Sequence, residues 1–176
     1  MTLRIETERL VMRDWREADV EALAEIGADE EASRFLGGPM TRAESWRRMA
    51  YFTGHKALRG YGFLALEVKA TGACVGWCGH YFPEEWPDRE IGYTLLKSAR
   101  GKGYATEAAG RALRHAYDEL GWKTAISYIA MNNSASIAVA QRLGATLEST
   151  RIYRDFECGI FRHRSPADLK PNQTKH

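Results

Sequence analysis

Apolar and polar positions alternate over Leu10–Arg13, the period of a short strand. From Asp19, the apolar positions Val20, Leu23, Ala24 and Ile26 recur at helical spacing, with Asp19 placed as an N-cap. Gly37-Gly38-Pro39 breaks that helix. Thr41-Arg-Ala-Glu44 has the form of a capping box. It opens a second helix with Trp46, Met49, Ala50 and Thr53 on one face and Gly54 and Gly60 bracketing its end. From Tyr61 the period changes. Tyr61–Lys69 and Ala73–Phe82 read as a hairpin turning at Thr71-Gly72, and Glu90–Leu96 as a third strand beyond a loop marked by Pro83 and Pro87. A long amphipathic helix follows. Its stripe comprises Tyr104, Ala105, Ala108, Ala109, Ala112, Leu113, Ala116, Tyr117 and Leu120, and it stops at Gly121. Thr124–Ala130 is β-rich, Asn132–Ser136 turns into a short helix ending at Gly144, and two further strands lie near Ala145–Tyr153 and Phe156–Arg162.

These elements predict a mixed α+β domain over residues 1–164 and a polar, flexible tail over 165–176. An antiparallel meander feeds a strand–helix–strand crossover, which general handedness rules make right-handed. The length of 176 residues suits one domain with its own core. The formal net charge of +2 is too small and dispersed for a phosphate-backbone partner, so no nucleic acid is expected. No run reaches the ~20 apolar residues of a membrane span, and no export signal stands at the start, so no membrane and a cytoplasmic setting are expected. Cys74, Cys78 and Cys158 are an odd set, expected as reduced thiols. Cys74 and Cys78 are read as two thiols on one strand and not as half of a metal site, and no metal is expected. Asp29, Glu30 and Glu31 read as a solvated helix end.

The chemistry concentrates at Arg100-Gly-Lys-Gly-Tyr-Ala105. Two glycines let the backbone approach a ligand, and the turn opens a helix whose first amides lack internal partners. With Arg100 and Lys102 nearby, that is an anion site suited to a diphosphate. A P-loop needs a Gly-Lys-Ser/Thr ending, but Lys102 lies between the glycines. A dinucleotide fingerprint needs a third glycine where Thr106 stands. A purely structural turn remains open on these residues alone.

The stretch Glu90–Ala108, with Arg100, Gly103 and Ala105 on the signature [Q/R]-x-x-G-x-[G/A], resembles the GNAT acetyltransferase superfamily. Thr7-Glu-Arg-Leu-Val-Met-Arg13, Val75-Gly-Trp-Cys-Gly79 and Asn133-Ser-Ala-Ser-Ile137 through Leu143-Gly144-Ala145 continue the resemblance in order. They are similar to the branch containing the ribosomal-protein N-terminal alanine acetyltransferases. The resemblance implies a GNAT-like single domain, its central mixed sheet splayed between Ile91–Leu96 and Thr124–Ala130 and flanked by helices. It implies acetyl-CoA as cofactor. The diphosphate would rest on amides of Gly101, Lys102, Gly103, Tyr104 and Ala105, and the pantetheine arm would run along Tyr93 and Leu95. Asn133 would bond that arm, with Asn132 as competitor and a plain turn residue as the alternative. Ser136 would face the thioester sulfur or cap its helix. The acceptor would be a primary amine (a protein N-terminus, an amino acid or a small molecule), and a homodimer is the family-level expectation.

A lysine-like amine is neutral about once in 2,500 molecules at pH 7, so transfer needs a base. Glu90 is the candidate, the alternative being a carboxylate paired with Arg89 or Lys123. A backbone amide within Tyr93–Leu95 would stabilise the developing oxyanion. Many relatives place a tyrosine, as general acid, four residues before the closing glycine. Here Ala140 stands there, with Ser136, then Tyr128, then Tyr153 as replacements. That departure keeps a second function open, a non-catalytic acyl-CoA-binding module. Phe35, Tyr81 and Trp86 are the candidates for binding the acceptor, and His80 is a minor candidate base.

Overall fold

Apolar runs separated by glycine and proline turns form one eight-stranded sheet, which the computed structural model describes within residues 3–169. The strands are β1 (Arg4–Glu6), β2 (Leu10–Arg13), β3 (Phe63–Val68), β4 (Cys74–Tyr81), β5 (Glu90–Leu95), β6 (Ile126–Ala130), β7 (Thr146–Tyr153) and β8 (Phe156–Arg162). They lie in the order β1-β2-β3-β4-β5-β6-β8-β7. Neighbours are antiparallel except β5 and β6, which are parallel. The helices are α1 (Val20–Ala28), α2 (Glu30–Ser33), α3 (Arg42–Arg59), α4 (Tyr104–Asp118), α5 (Ser134–Arg142) and α6 (Pro166–Leu169).

The crossover helix α4 has an unbroken floor of small side chains, with Ala108, Ala109, Ala112 and Ala116 all buried. A floor of alanines lets the helix axis lie close to the sheet, under Ile91 and Cys78 in the same core. Gly27 serves the same end between α1 and α3, where an added Cβ would lie 3.0 Å from Ser45 Oγ.

Several local expectations are corrected. Asp19 does not cap α1. Its carboxylate accepts from Arg16 N and pairs with Arg13, both ends of that pair buried, while its backbone closes a 3-10 turn over Glu17–Asp19. The capping box at Thr41–Glu44 is present, but α3 turns Ser45, Met49, Phe52 and His55 inward and leaves Trp46, Ala50 and Thr53 exposed. The helix runs through Gly54 and ends at Gly60, whose φ is 79°. β1 and α2 add elements that period alone did not mark. Residues 166–169, expected within the polar tail, form α6, where the Asp168 carboxylate accepts from Ser165 N and Oγ. The remainder of the expected tail, residues 170–176, lies outside the described residues. Cys74 and Cys78 are free thiols on β4, and Cys158 is a free thiol on β8.

Candidate active site

The parallel pair at the centre of the sheet barely pairs. β5 and β6 are in register only at Glu90–Ile126. Ile126 N donates to Arg89 O at 2.8 Å, and the next rung is a side chain, Ser127 Oγ donating to Ile91 O at 3.0 Å. No further β6 partner follows among the described residues. Strand alternation puts the main-chain groups of residues 89, 91, 93 and 95 on this edge. Those of Tyr93 and Leu95 therefore face the gap. Thr94, inside the stretch expected to supply an oxyanion donor, turns the other way. A Cβ on Gly76 of β4 would sit 2.0 Å from Thr94 O.

Ser127 Oγ also lies 2.9 Å from His163 Nε2. Since Ser127 gives its proton to Ile91 O, His163 must donate through Nε2, which agrees with its buried Nδ1 having no partner. Burial pushes the His163 pKa down to about 4, so the ring is neutral. The sequence carried no periodic signal for this pair, because Ser127 lies on β6 and His163 just past the end of β8, 36 residues away.

At the gap's upper end, Gly101 and Gly103 adopt φ of 74° and 80°. No side chain caps α4, and its first internal bond runs from Glu107 N to Gly103 O. The amides of Tyr104, Ala105 and Thr106 thus have no intrahelical acceptor. A Cβ on Gly101 would meet nothing within 4 Å, and one on Gly103 only Arg9 Nη2 at 3.4 Å. The turn is open above its backbone. Its side-chain cations differ from expectation. The Arg100 guanidinium is already committed, its Nη2 2.7 Å from Asp29, its Nη1 3.4 Å from Glu31 and its Nε donating to Leu95 O at 3.3 Å. The acidic cluster is the helix end it was read as, Asp29 capping α2 with Glu30 and Glu31 exposed, and its Asp29 and Glu31 also serve as counter-ions to Arg100, which approaches the turn through its backbone. Arg9 takes the vacated place, donating to Lys102 O at 3.0 Å with its guanidinium 4.8 Å from the Tyr104 ring centroid. Lys102 is exposed.

At the other end of β5, Glu90 is 8% exposed. Trp86 Nε1 donates to its Oε2 at 2.7 Å and Tyr128 N to its Oε1 at 3.4 Å. Those donors favour the carboxylate, but burial outweighs them and pushes the pKa up to about 7. No pairing with Arg89 or Lys123 forms among the described residues, which removes that alternative. Trp86 packs edge-on against Tyr81, Tyr128 and Tyr153 at 5.2–5.3 Å. Tyr81 stacks on Phe63 at 4.9 Å, whereas Phe35 packs separately against Phe156 at 5.9 Å.

On α5, Asn133 Oδ1 accepts from Ser136 N at 3.2 Å, an N-cap. The Tyr93 hydroxyl lies 3.5 Å from Ser136 O and brings that helix end to the open strand. Ala140 is buried beside Ile129, Ala145 and Phe161. Of the replacement hydroxyls, Tyr128 and Tyr153 gather beside Glu90, while Ser136 lies by Tyr93. His80 is not beside the cleft. It is buried on the opposite face, its Nε2 3.0 Å from Ala112 O and its ring 5.0 Å from His115. A cavity of about 470 Å³ lined by Arg59, Tyr61, Arg89, Trp122 and Lys123 opens elsewhere, at the C-terminal end of α4.

A sheet splayed at one rung beside an uncapped helix start is the architecture of acyl-CoA-dependent transferases, and comparison agrees. The profile described as "Acetyltransferase (GNAT) domain" matches residues 9–146, and the chain belongs to that family. An acetyltransferase from Agrobacterium tumefaciens str. C58 is 31% identical, with a TM-score of 0.83 over 93% of this chain and 95% of that one. A Bacillus licheniformis protein, "Uncharacterized N-acetyltransferase p20", is 27% identical over 154 residues, 86% of this chain and 85% of its own. The fold also matches RimL, a ribosomal L7/L12 α-N-protein acetyltransferase in complex with coenzyme A, at 19% identity and a TM-score of 0.77, covering 94% of this chain and 100% of that one. No helix among the described residues is long and apolar enough to cross a membrane.

Proposed function

We propose that this chain transfers an acetyl group from acetyl-CoA to a primary amine, with Glu90 as the base. The observation that carries this reading is the single β5–β6 rung at Glu90–Ile126. It leaves a strand edge without a β6 partner running from a buried carboxyl to an uncapped helix start, its Tyr93 and Leu95 carbonyls touched only by Thr94 Oγ1 and Arg100 Nε among the described residues. The residues present fit the donor. The free amides of Tyr104, Ala105 and Thr106, with the open backbone of Gly101–Gly103, would hold a diphosphate. The main-chain groups of Tyr93 and Leu95 would pair with an amide-bearing arm, and Asn133 and Ser136 would close its other side. Acetyl-CoA supplies the acyl group as a thioester.

The chain's own part is proton handling and positioning. An ammonium must lose a proton before its lone pair can react, and a carboxylate with pKa about 7 is half-ionised at neutral pH. Burial raises its basicity, while Trp86 and the Tyr128 amide fix its orientation. Tyr81, Trp86 and Phe35 would line the acceptor's approach. The Tyr128 hydroxyl, its pKa raised chiefly by burial, stays protonated at neutral pH and can donate a proton to a departing thiolate. The acceptor named for RimL, a protein α-amine, is one candidate class here. A cytoplasmic setting, a catalytic domain over residues 1–164 and a homodimer complete the proposal. Ala140 favours one second reading, an acyl-CoA-binding module without turnover.

Thiol release from acetyl-CoA in the presence of a panel of amines and N-terminal peptides separates the two. Gly101→Asp adds a carboxylate where a Cβ meets nothing within 4 Å. It should weaken acetyl-CoA binding about tenfold or more while the protein stays folded, because like charge would face the diphosphate. Unchanged affinity in calorimetry would remove the turn from the site.

A further inference from the structure

Two arginines in the acceptor half of this cleft have no carboxylate partner among the described residues. Arg48 lies on α3 one turn before Tyr51, whose hydroxyl is 3.2 Å from that of Tyr81. Residues three apart share a helix face, so Arg48 extends the stripe that meets Tyr81. It is half-buried, and its Nη2 donates to Leu36 O at 2.8 Å, leaving its remaining donors unused. Arg154 approaches from the β7–β8 turn, held at φ 53°. Its guanidinium is 5.6 Å from the Tyr153 ring centroid. It lies so close to Gly37 that a Cβ there would sit 2.0 Å from Nη1. Glycine at 37 makes the cradle in which Arg154 rests. Neither arginine forms an ion pair among the described residues.

The two cations also feel each other. Burial first, and repulsion from Arg154 second, hold the Arg48 pKa below the ordinary arginine range, while Tyr81 opposes the shift. Paired like charges without a counter-ion are unfavourable until an anion joins them. Both sit on the side of the sheet where Tyr81 stands in register with Glu90. The aromatic wall of Tyr81, Trp86 and Tyr153 therefore has a proton acceptor at one end and two guanidinium groups at the other.

We propose that Arg48 and Arg154 form an anion subsite of the acceptor cleft, and that the amine accepted by this protein carries a carboxylate. This rests on the transferase reading above and specifies its substrate class. A guanidinium meets a carboxylate with parallel N–H donors, and two guanidiniums from different elements would fix its orientation. Two sources supply this chemistry: the α-carboxylate of a free amino acid, and an acidic side chain at the second position of a peptide.

The test uses matched pairs that differ in that charge, each rate expressed per neutral amine at the assay pH because amidation also lowers the α-amine pKa. One pair is an amino acid and its amide. The other is a C-terminally amidated dipeptide with Asp or Asn at position two. The readout is the ratio of kcat/KM within each pair, which does not depend on the fraction of active enzyme. The wild-type ratio should favour the acidic member about tenfold or more in one pair, and which pair does so identifies the source. Arg154→Gln should bring that ratio to near one, Arg154→Glu should invert it, and Arg154→Lys should restore part of it. A wild-type ratio near one in both pairs overturns the subsite. So does a preference that survives both Arg154→Gln and Arg48→Lys. Thiol release at background for every amine, acidic or neutral, defeats the transferase reading and the subsite with it, which is a different outcome from equal transfer within pairs.

Discussion

Glu90 combines a donor on each oxygen with a pKa of about 7, and that combination has a stability consequence beside the catalytic role proposed for it. Its ordinary pKa is 4.5. Between 4.5 and about 7 the folded state binds the extra proton, so stability is present below pH 4.5 and is lost as pH rises through 7. The loss is on the order of 3 kcal/mol when complete. Glu90→Gln keeps an acceptor for Trp86 or the Tyr128 amide and removes the ionisation. We expect it to raise the melting temperature at pH 8 and leave it nearly unchanged at pH 4. We also expect the variant to lose most turnover and the rate inflection near pH 7. A melting difference that is the same at both pH values would contradict the buried-acid account. The place of Glu90 at the head of β5 was legible from the strand pattern. The pairing of Arg100 was not. Its partners Asp29 and Glu31 lie 71 and 69 residues away, and nothing local announces an ion pair across that separation.

At the scale of elements, the boundaries of β2, β4, β5, α4 and α5 followed closely from period and turn residues. The orientation of α3 did not. Both its stripes carry large apolar residues, and the choice falls to α1, which meets α3 at Gly27 and admits the small Ser45 there. Trp46 is left outside, 48% exposed. β4 shows a comparable constraint in the sheet. Gly76 has φ 142°, and its absent Cβ leaves room for Thr94 O. That close approach keeps Gly76 in register with Leu95 and so holds the β5 edge toward the gap. Gly76→Ala should destabilise the protein by about 2–4 kcal/mol, since strain and steric conflict combine. It should also weaken acetyl-CoA binding. Gly72→Ala is the control. It too has positive φ, 69°, but its Cβ meets nothing within 4 Å, so it should cost about 1 kcal/mol and leave affinity alone. Chemical denaturation and calorimetry on both variants check this, and equal losses would show that the contact with β5 is irrelevant.

Across the whole molecule, the neighbours β3, β4 and β5 were legible from the hairpin and meander pattern, and the junction of β5 and β6 only where the resemblance named it. The placement of β8 between β6 and β7 depends on long-range register. One product of that register is the buried Ser127–His163 contact; another buried imidazole, His80 on β4, lies under α4 on the same face of the sheet. Burial pushes both imidazoles down to about 4 from an ordinary 6.5. The sign is opposite to that of Glu90. Between pH 6.5 and 4 the unfolded chain binds more protons, so this contribution is complete above 6.5 and is lost as pH falls through 4. Two such groups outweigh one Glu90 in the same window, so net stability should rise from pH 4 to 6.5 and level off near neutrality. His80→Gln together with His163→Asn substitutes neutral groups that can still donate to Ala112 O and Ser127 Oγ. The pair should weaken the protein modestly at pH 7 and yet shift its acid-unfolding midpoint downward by about half a pH unit or more. Crossing stability curves, wild type above and the variant below in the order of midpoints, would be the signature in circular dichroism. Parallel curves would mean that other groups, and not these two imidazoles at the sheet's centre, govern its acid limit.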